Sequence, residues 1–193
     1  MEDKKNHILD VAKVRFDKFG FKKTTVDEIA GDAGVSKRTL YELFEDKESL
    51  FVALFIREAL TARRVVLGRL EDVRDPVERL KRFMLVARDY FEHEPFMAKA
   101  LRDEDNGFIP YLKKEFYVGE QGILDIFSGF LKEGIRQGKF RNLNTGITSY
   151  ILFKLLQAFT YARTLPAQEG LSTEEEMEEL TKFLVEAIVK RKV

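Results

Sequence analysis

Residues 24–47, TTVDEIAGDAGVSKRTLYELFEDK, carry the pattern that decides the fold: two short helices joined by a tight turn. Thr25 with Glu28 three residues later fits a capping box at the start of the first helix. Val26, Ile29, Ala30 and Ala33 then fall at i, i+3, i+4 and i+7, one face of an α-helix. Gly34 can take the positive φ that follows a helix end, and Ser36 is a favoured N-cap for the next helix. Val35 and Leu40 stand where a hydrophobic staple pairs them.

The second helix is informative for what it leaves outside. At about 100° per residue, Leu40, Leu43 and Phe44 gather on one side and face a small core. Arg38 and Glu42 then point away, with Lys37 and Tyr41 on one flank and Thr39 on the other. Such side chains, presented from the N-terminal turns of a helix, can reach base edges and phosphates in a major groove. Glu42 either turns a carboxylate toward the phosphates or accepts a hydrogen bond from cytosine. A plain amphipathic hairpin with a solvated polar face has the same pattern, so this helix alone leaves both readings open.

The longer run TTVDEIAGDAGVSKRTLYELFEDKESLF resembles the N-terminal DNA-binding domain of the tetracycline-repressor-like (TetR) family of regulators. The matching residues are Thr25, Ile29-Ala30, Ala33-Gly34-Val35-Ser36, Thr39-Leu40-Tyr41, Phe44, and Lys47 opening the next helix before Leu50. They cover the first quarter of the chain; beyond it, only length and all-helical character are similar. The resemblance implies an all-α fold. A three-helix helix-turn-helix DNA-binding domain over 1–50 would precede a helical ligand-binding and dimerisation domain over 51–193. Thr25, Ser36, Lys37, Arg38, Thr39, Tyr41, Glu42 and Lys47 become the expected DNA-facing set. The implied partners are a palindromic double-stranded operator, a second copy of the chain and a small-molecule effector.

Composition is compatible with that expectation but does not demand it. The chain has 193 residues and 45% hydrophobic content, enough for a substantial core. Thirty-three basic residues cancel thirty-three acidic ones. The first 50 residues hold ten Lys/Arg against eleven Asp/Glu, unlike the basic footprint of most nucleic-acid-binding domains. DNA-facing charge must therefore be local, at Lys22, Lys23, Lys37, Arg38 and Lys47. There is no cysteine, no apolar leader in MEDKKNHILD and no apolar run long enough for a membrane span, so a soluble cytoplasmic protein is expected.

Taken in order, the periodicity predicts a first helix over Lys4–Phe19 with Ile8, Leu9, Ala12, Phe16 and Phe19 inward, closed by Gly20. A fourth helix runs from Lys47, after Asp46 as N-cap, to Leu70. Its first half (Leu50, Phe51, Leu54, Phe55) serves the DNA-binding core, and its second half (Val65, Val66, Leu70) serves another. Thr25 and Lys47, at two helix starts, are both placed for a phosphate. Further helices are expected over Pro76–His93 and Phe96–Arg102. A loop over Asp103–Pro110 separates them from helices over Tyr111–Gln137, Thr145–Arg163 and Ser172–Lys192. Gly119, Gly122, Gly129 and Gly134 in the seventh helix signal close packing or a kink. The eighth is apolar on more than one side, which suits a helix buried all round. The resemblance implies that the last two helices pair into a dimer interface. No strand pattern with hairpin turns is present.

Catalysis has no positive support. Two histidines and no cysteine leave little for zinc sites or Cys/His nucleophiles, and phosphate- or dinucleotide-binding glycine fingerprints are absent, so no cofactor is expected. Many of the seventeen phenylalanines fall between Phe51 and Phe159. Ordinary core packing accounts for them. If the implied effector cavity exists, Phe83, Phe91, Phe127, Phe130 and Phe153 are its candidate lining, suiting an apolar ligand, with Arg88 or Arg102 as a polar handle. The alternative to a regulator is a helical ligand-binding or interaction module that no longer binds DNA, and an enzyme ranks third.

Overall fold

Polar side chains start five of the nine helices found among the described residues, which are 2–102, 109–162, 170 and 172–190 of a computed structural model. The helices are α1 (Glu2–Phe19), α2 (Val26–Asp32), α3 (Lys37–Leu43), α4 (Lys47–Gly68), α5 (Pro76–His93), α6 (Pro95–Arg102), α7 (Ile109–Arg136), α8 (Thr145–Phe159) and α9 (Thr173–Ile188). Thr25, Ser36, Asp75, Asn144 and Ser172 each accept a backbone N–H from the first turn of the helix they precede. Such a cap contributes about 1 kcal/mol, because it satisfies a donor that has no intrahelical partner. Gly20, Gly34 and Gly138 take positive φ (76°, 63° and 69°) just past α1, α2 and α7. Only glycine adopts that conformation without strain.

The chain divides into two compact units. One comprises Met1–Thr61 with Pro95–Phe116; the other comprises Ala62–Glu94 with Tyr117–Val193. They cut the chain differently from the expected domains at 1–50 and 51–193, since α4 contributes residues to both units and α6 joins the N-terminal one. In the first unit α1 packs on α2 and α6, and α2 on α3. Ile8, Ile29, Leu40, Leu50 and Leu54 are fully buried there. In the second unit α5 packs chiefly on α9, and α8 touches both. Leu80, Met84, Phe127, Leu131, Leu152 and Phe153 form its interior.

Several expectations need correction. Phe19 is 45% exposed instead of buried, with the Arg15 guanidinium and Lys18 ammonium over its ring. α5 buries Tyr90 and leaves Phe91 half-exposed. The inner stripe of α9 is Met177, Thr181, Leu184, Val185 and Ile188, which leaves Phe183 68% exposed. α7 begins at Ile109, so Pro110 lies in its first turn, where a proline's missing N–H is no loss. The rest of that expected loop, 103–108, lies outside the described residues, as does 163, where α8 was expected to end. α8 is described as ending at Phe159, with Thr160 as its C-cap. α9 stops at Ile188 because Val189 turns extended and forms an antiparallel bridge with Phe140. Arg141 donates to the Ile188 carbonyl at 3.0 Å and Lys190 to the Lys139 carbonyl at 2.8 Å. Two-residue pairing of this kind leaves no periodic signal in a sequence.

Candidate DNA-reading face

The geometry of this face begins with the capping box of α2. Glu28 donates its N–H to Thr25 Oγ1 at 3.3 Å, while the Thr25 N–H and hydroxyl both donate to Glu28 Oε2, at 2.8 and 2.9 Å. These hydrogen bonds, and then the Arg15 guanidinium 3.1 Å from Oε1, hold the Glu28 carboxyl below its ordinary range. The Thr25 hydroxyl proton is therefore engaged within the cap. Gly34 carries the chain to Ser36, whose Oγ accepts the Thr39 N–H at 3.1 Å and lies 2.9 Å from the Thr39 hydroxyl. Leu40 anchors α3 in the core at 0% exposure.

Lys37, Arg38, Tyr41 and Glu42 are all exposed on α3, and Thr39 is half-buried. This is the outward set expected from helical spacing. The structure adds their partners. Lys37 Nζ lies 2.7 Å from Asp27 Oδ1 on α2, and that hydrogen bond raises the lysine's pKa. Arg38 Nε lies 3.1 Å from Glu42 Oε1, one turn along the same helix. Arg15 likewise binds Asp32 at 2.5 Å. Exposed pairs of this kind are screened by water and contribute little, so they break readily when a phosphate or base edge competes. Without DNA, the two cations of α3 are neutralised locally.

Lys47 is placed at the start of α4 as expected, but its ammonium turns inward. Nζ donates to the carbonyls of Phe21 and Thr24, both at 3.0 Å, and stands 4.1 Å from the Phe21 ring centroid. It thereby ties the turn before α2 to α4, leaving one of three N–H groups for a phosphate. Thr24, buried at 0% exposure, donates its hydroxyl to the Gly20 carbonyl at 2.8 Å and closes the same turn. Neither Asp27 as the partner of Lys37 nor this double carbonyl clamp was visible in the sequence. Both depend on the angle between helices, not on spacing within one.

The candidate effector residues are only partly brought together. Phe83 packs edge-on against Phe127 (5.0 Å between centroids) and Phe130 (5.7 Å), and Phe153 is buried on α8. Phe91 instead lies 4.8 Å from the Tyr161 ring. Burial pushes the Tyr161 phenol up to about 12, although Gln157 Nε2 donates to its oxygen at 2.7 Å. Arg88 is committed to Glu92 and lies 3.9 Å from Glu174 of α9. Arg102 belongs to the N-terminal unit, where its Nε reaches the Ala98 carbonyl at 3.4 Å. Among the described residues there is no metal-ligating cluster and no helix long and apolar enough to cross a membrane.

Comparison with known proteins agrees with this geometry. Residues 8–54 match the family model for bacterial regulatory proteins of the tetR family. An uncharacterized HTH-type transcriptional regulator of Bacillus subtilis, YhgD, is 24% identical over 163 residues, covering 82% of this chain and 83% of the relative. The solved structure of the fatty acid degradation regulator FadR from Bacillus halodurans superposes with a TM-score of 0.78 at 20% identity, covering 94% of each chain. AibR, solved in complex with isovaleryl coenzyme A and operator DNA, superposes at 0.68 and 18% identity, covering 94% of this chain and 98% of its own. The capped helix pair, the outward residues of α3 and the family match together identify residues 8–54 as a helix-turn-helix domain of the tetR type, in a chain similar over most of its length to HTH-type transcriptional regulators.

Proposed function

We propose that the chain acts in the cytoplasm as a homodimeric, ligand-responsive repressor that binds a palindromic operator. The observation that carries the DNA-contact part is α3 itself. It is capped by Ser36, anchored by Leu40, and presents Lys37, Arg38, Tyr41 and Glu42 to solvent. Two such helices related by a two-fold axis would enter successive major grooves about 34 Å apart. Thr25, Ser36, Thr39 and Lys47 would hold the backbone while Arg38 and Glu42 face the bases. Support for the dimer comes from α8. Ile147, Tyr150 and Ile151, at i, i+3 and i+4, are 61%, 54% and 47% exposed. Three apolar side chains exposed on one helix face are the kind of patch that marks a protein–protein contact.

The effector site belongs to the second unit, around Phe83, Phe91, Phe127, Phe130 and Phe153, for an apolar ligand. Since Phe83, Phe127 and Phe130 pack edge to face, a ligand there must part those rings. It would act only through a different affinity for the DNA-competent arrangement. The local pairing of Lys37 with Asp27 and Arg38 with Glu42 favours one other reading, a module that no longer binds DNA. Selection of the purified protein against a random duplex library, followed by a salt titration, separates the two. Enrichment of a palindrome with affinity falling steeply as salt rises is expected. No enriched sequence and a flat salt response would establish the module instead.

A further inference from the structure

We propose that the unit formed by Met1–Thr61 and Pro95–Phe116 carries a ligand site of its own, suited to a small neutral aromatic molecule of the phenol type. The site is a half-open cavity of about 220 Å³ lined by Phe16, Gly20, Phe21, Phe51, Phe96 and Ala100, with Asp17 and Lys99 at its mouth. Every one of these residues lies in that one unit. None of its lining residues belongs to the outward face of α3 or to the phenylalanines of the effector site proposed above.

Its size and lining select the guest. An enclosed apolar cavity of about 150 Å³ is enough to bind benzene. Here four buried rings supply the walls. Phe51 meets Phe16 and Phe21 edge-on, each at 5.3 Å between centroids, and Phe96 at 5.6 Å. Aromatic rings favour such edge and offset contacts with a further ring. The mouth selects the polar group. Lys99 Nζ donates to the Asp17 carbonyl at 2.9 Å and stands 3.7 Å from Asp17 Oδ1. That ion pair is neutral as a whole, so an ionised guest gains from one partner what it loses to the other and bears its desolvation cost uncompensated. A hydroxyl does not, because it can accept from the lysine, which carries three N–H donors.

The position gives such a guest a mechanical consequence. Phe21 is a wall of the cavity, and it also clamps Lys47: its carbonyl accepts from Nζ at 3.0 Å and its ring lies beneath the ammonium. The same carbonyl accepts the Thr24 N–H at 3.1 Å, immediately before the α2 cap. A molecule seated against Phe21 therefore bears on the turn that sets where α2 begins.

Titration of the full-length chain, followed by amide chemical shifts, tests the site. Phenol and p-cresol are expected to shift residues 16–21, 51 and 96–100 saturably, with benzoate and benzylamine binding several-fold more weakly. Ala100→Leu should fill the cavity and abolish those shifts. Lys99→Met should weaken phenol several-fold while leaving toluene unchanged, a contrast that holds the test open if Ala100→Leu does not fold. Shifts located elsewhere, shifts that survive in a folded Ala100→Leu protein, stronger binding of either ion, or equal effects of Lys99→Met on phenol and toluene would overturn the proposal. None of these readouts depends on DNA binding or on the effector site.

Discussion

Lys37 and Arg38 reach solvent from α3 with carboxylates already beside them, Asp27 at 2.7 Å and Glu42 at 3.1 Å. A phosphate or guanine approaching either cation must first displace its partner. Removing the partner should therefore strengthen DNA binding rather than weaken it. Asp27→Asn is expected to raise operator affinity by up to about fivefold, the modest effect of releasing one cation from a water-screened pair. The salt slope should steepen at the same time, because removing the carboxylate leaves the positive charge of Lys37 uncompensated beside the phosphates. Fluorescence anisotropy at two salt concentrations measures both quantities, and an unchanged or lowered affinity would show that Lys37 faces no phosphate. At this scale the sequence already showed which residues of α3 point outward, since 100° per residue suffices for that. The partners of Lys37 and Lys47 lie on other elements, and helical spacing carries no information about them.

Among elements, α7 tests the glycine reading most sharply. A Cβ on Gly134 would stand 2.0 Å from the Phe140 ring, whereas one on Gly119, Gly122 or Gly129 meets nothing within 4 Å. Close packing thus explains one of the four glycines, and α7 runs unbroken through all of them. Gly134→Ala should destabilise the chain by about 1–3 kcal/mol through overpacking against Phe140. Gly129→Ala should stabilise it by about 0.5–1 kcal/mol through helix propensity. Urea denaturation of the two variants gives the comparison, and equal effects would refute the assignment. Helix starts were legible because Thr25, Ser36, Asp75, Asn144 and Ser172 announce themselves by residue type. The end of α9 was not, because Val189 leaves the helix to pair with Phe140, 49 positions earlier in the chain.

For the molecule as a whole, the exposed apolar residues of α8 and α9 carry the prediction. Ile147→Glu combined with Phe183→Glu places two charges on the surface proposed as the dimer interface. Light scattering after size exclusion should report a monomer, and operator affinity should fall sharply, because one recognition helix no longer prepays the positioning of the other. A dimer that survives both changes would move the interface elsewhere. Spacing, caps and turn glycines determined the helix-turn-helix and its outward face from the sequence alone, since each acts within a few residues of chain. Tertiary structure alone decided that Lys47 clamps a turn, that Phe183 faces out, that the Phe140 ring leaves no room for a side chain at Gly134, and that Phe16, Phe21, Phe51 and Phe96 line a half-open cavity. Each of those depends on how helices cross, and crossing is set by side chains far apart in sequence meeting in one core.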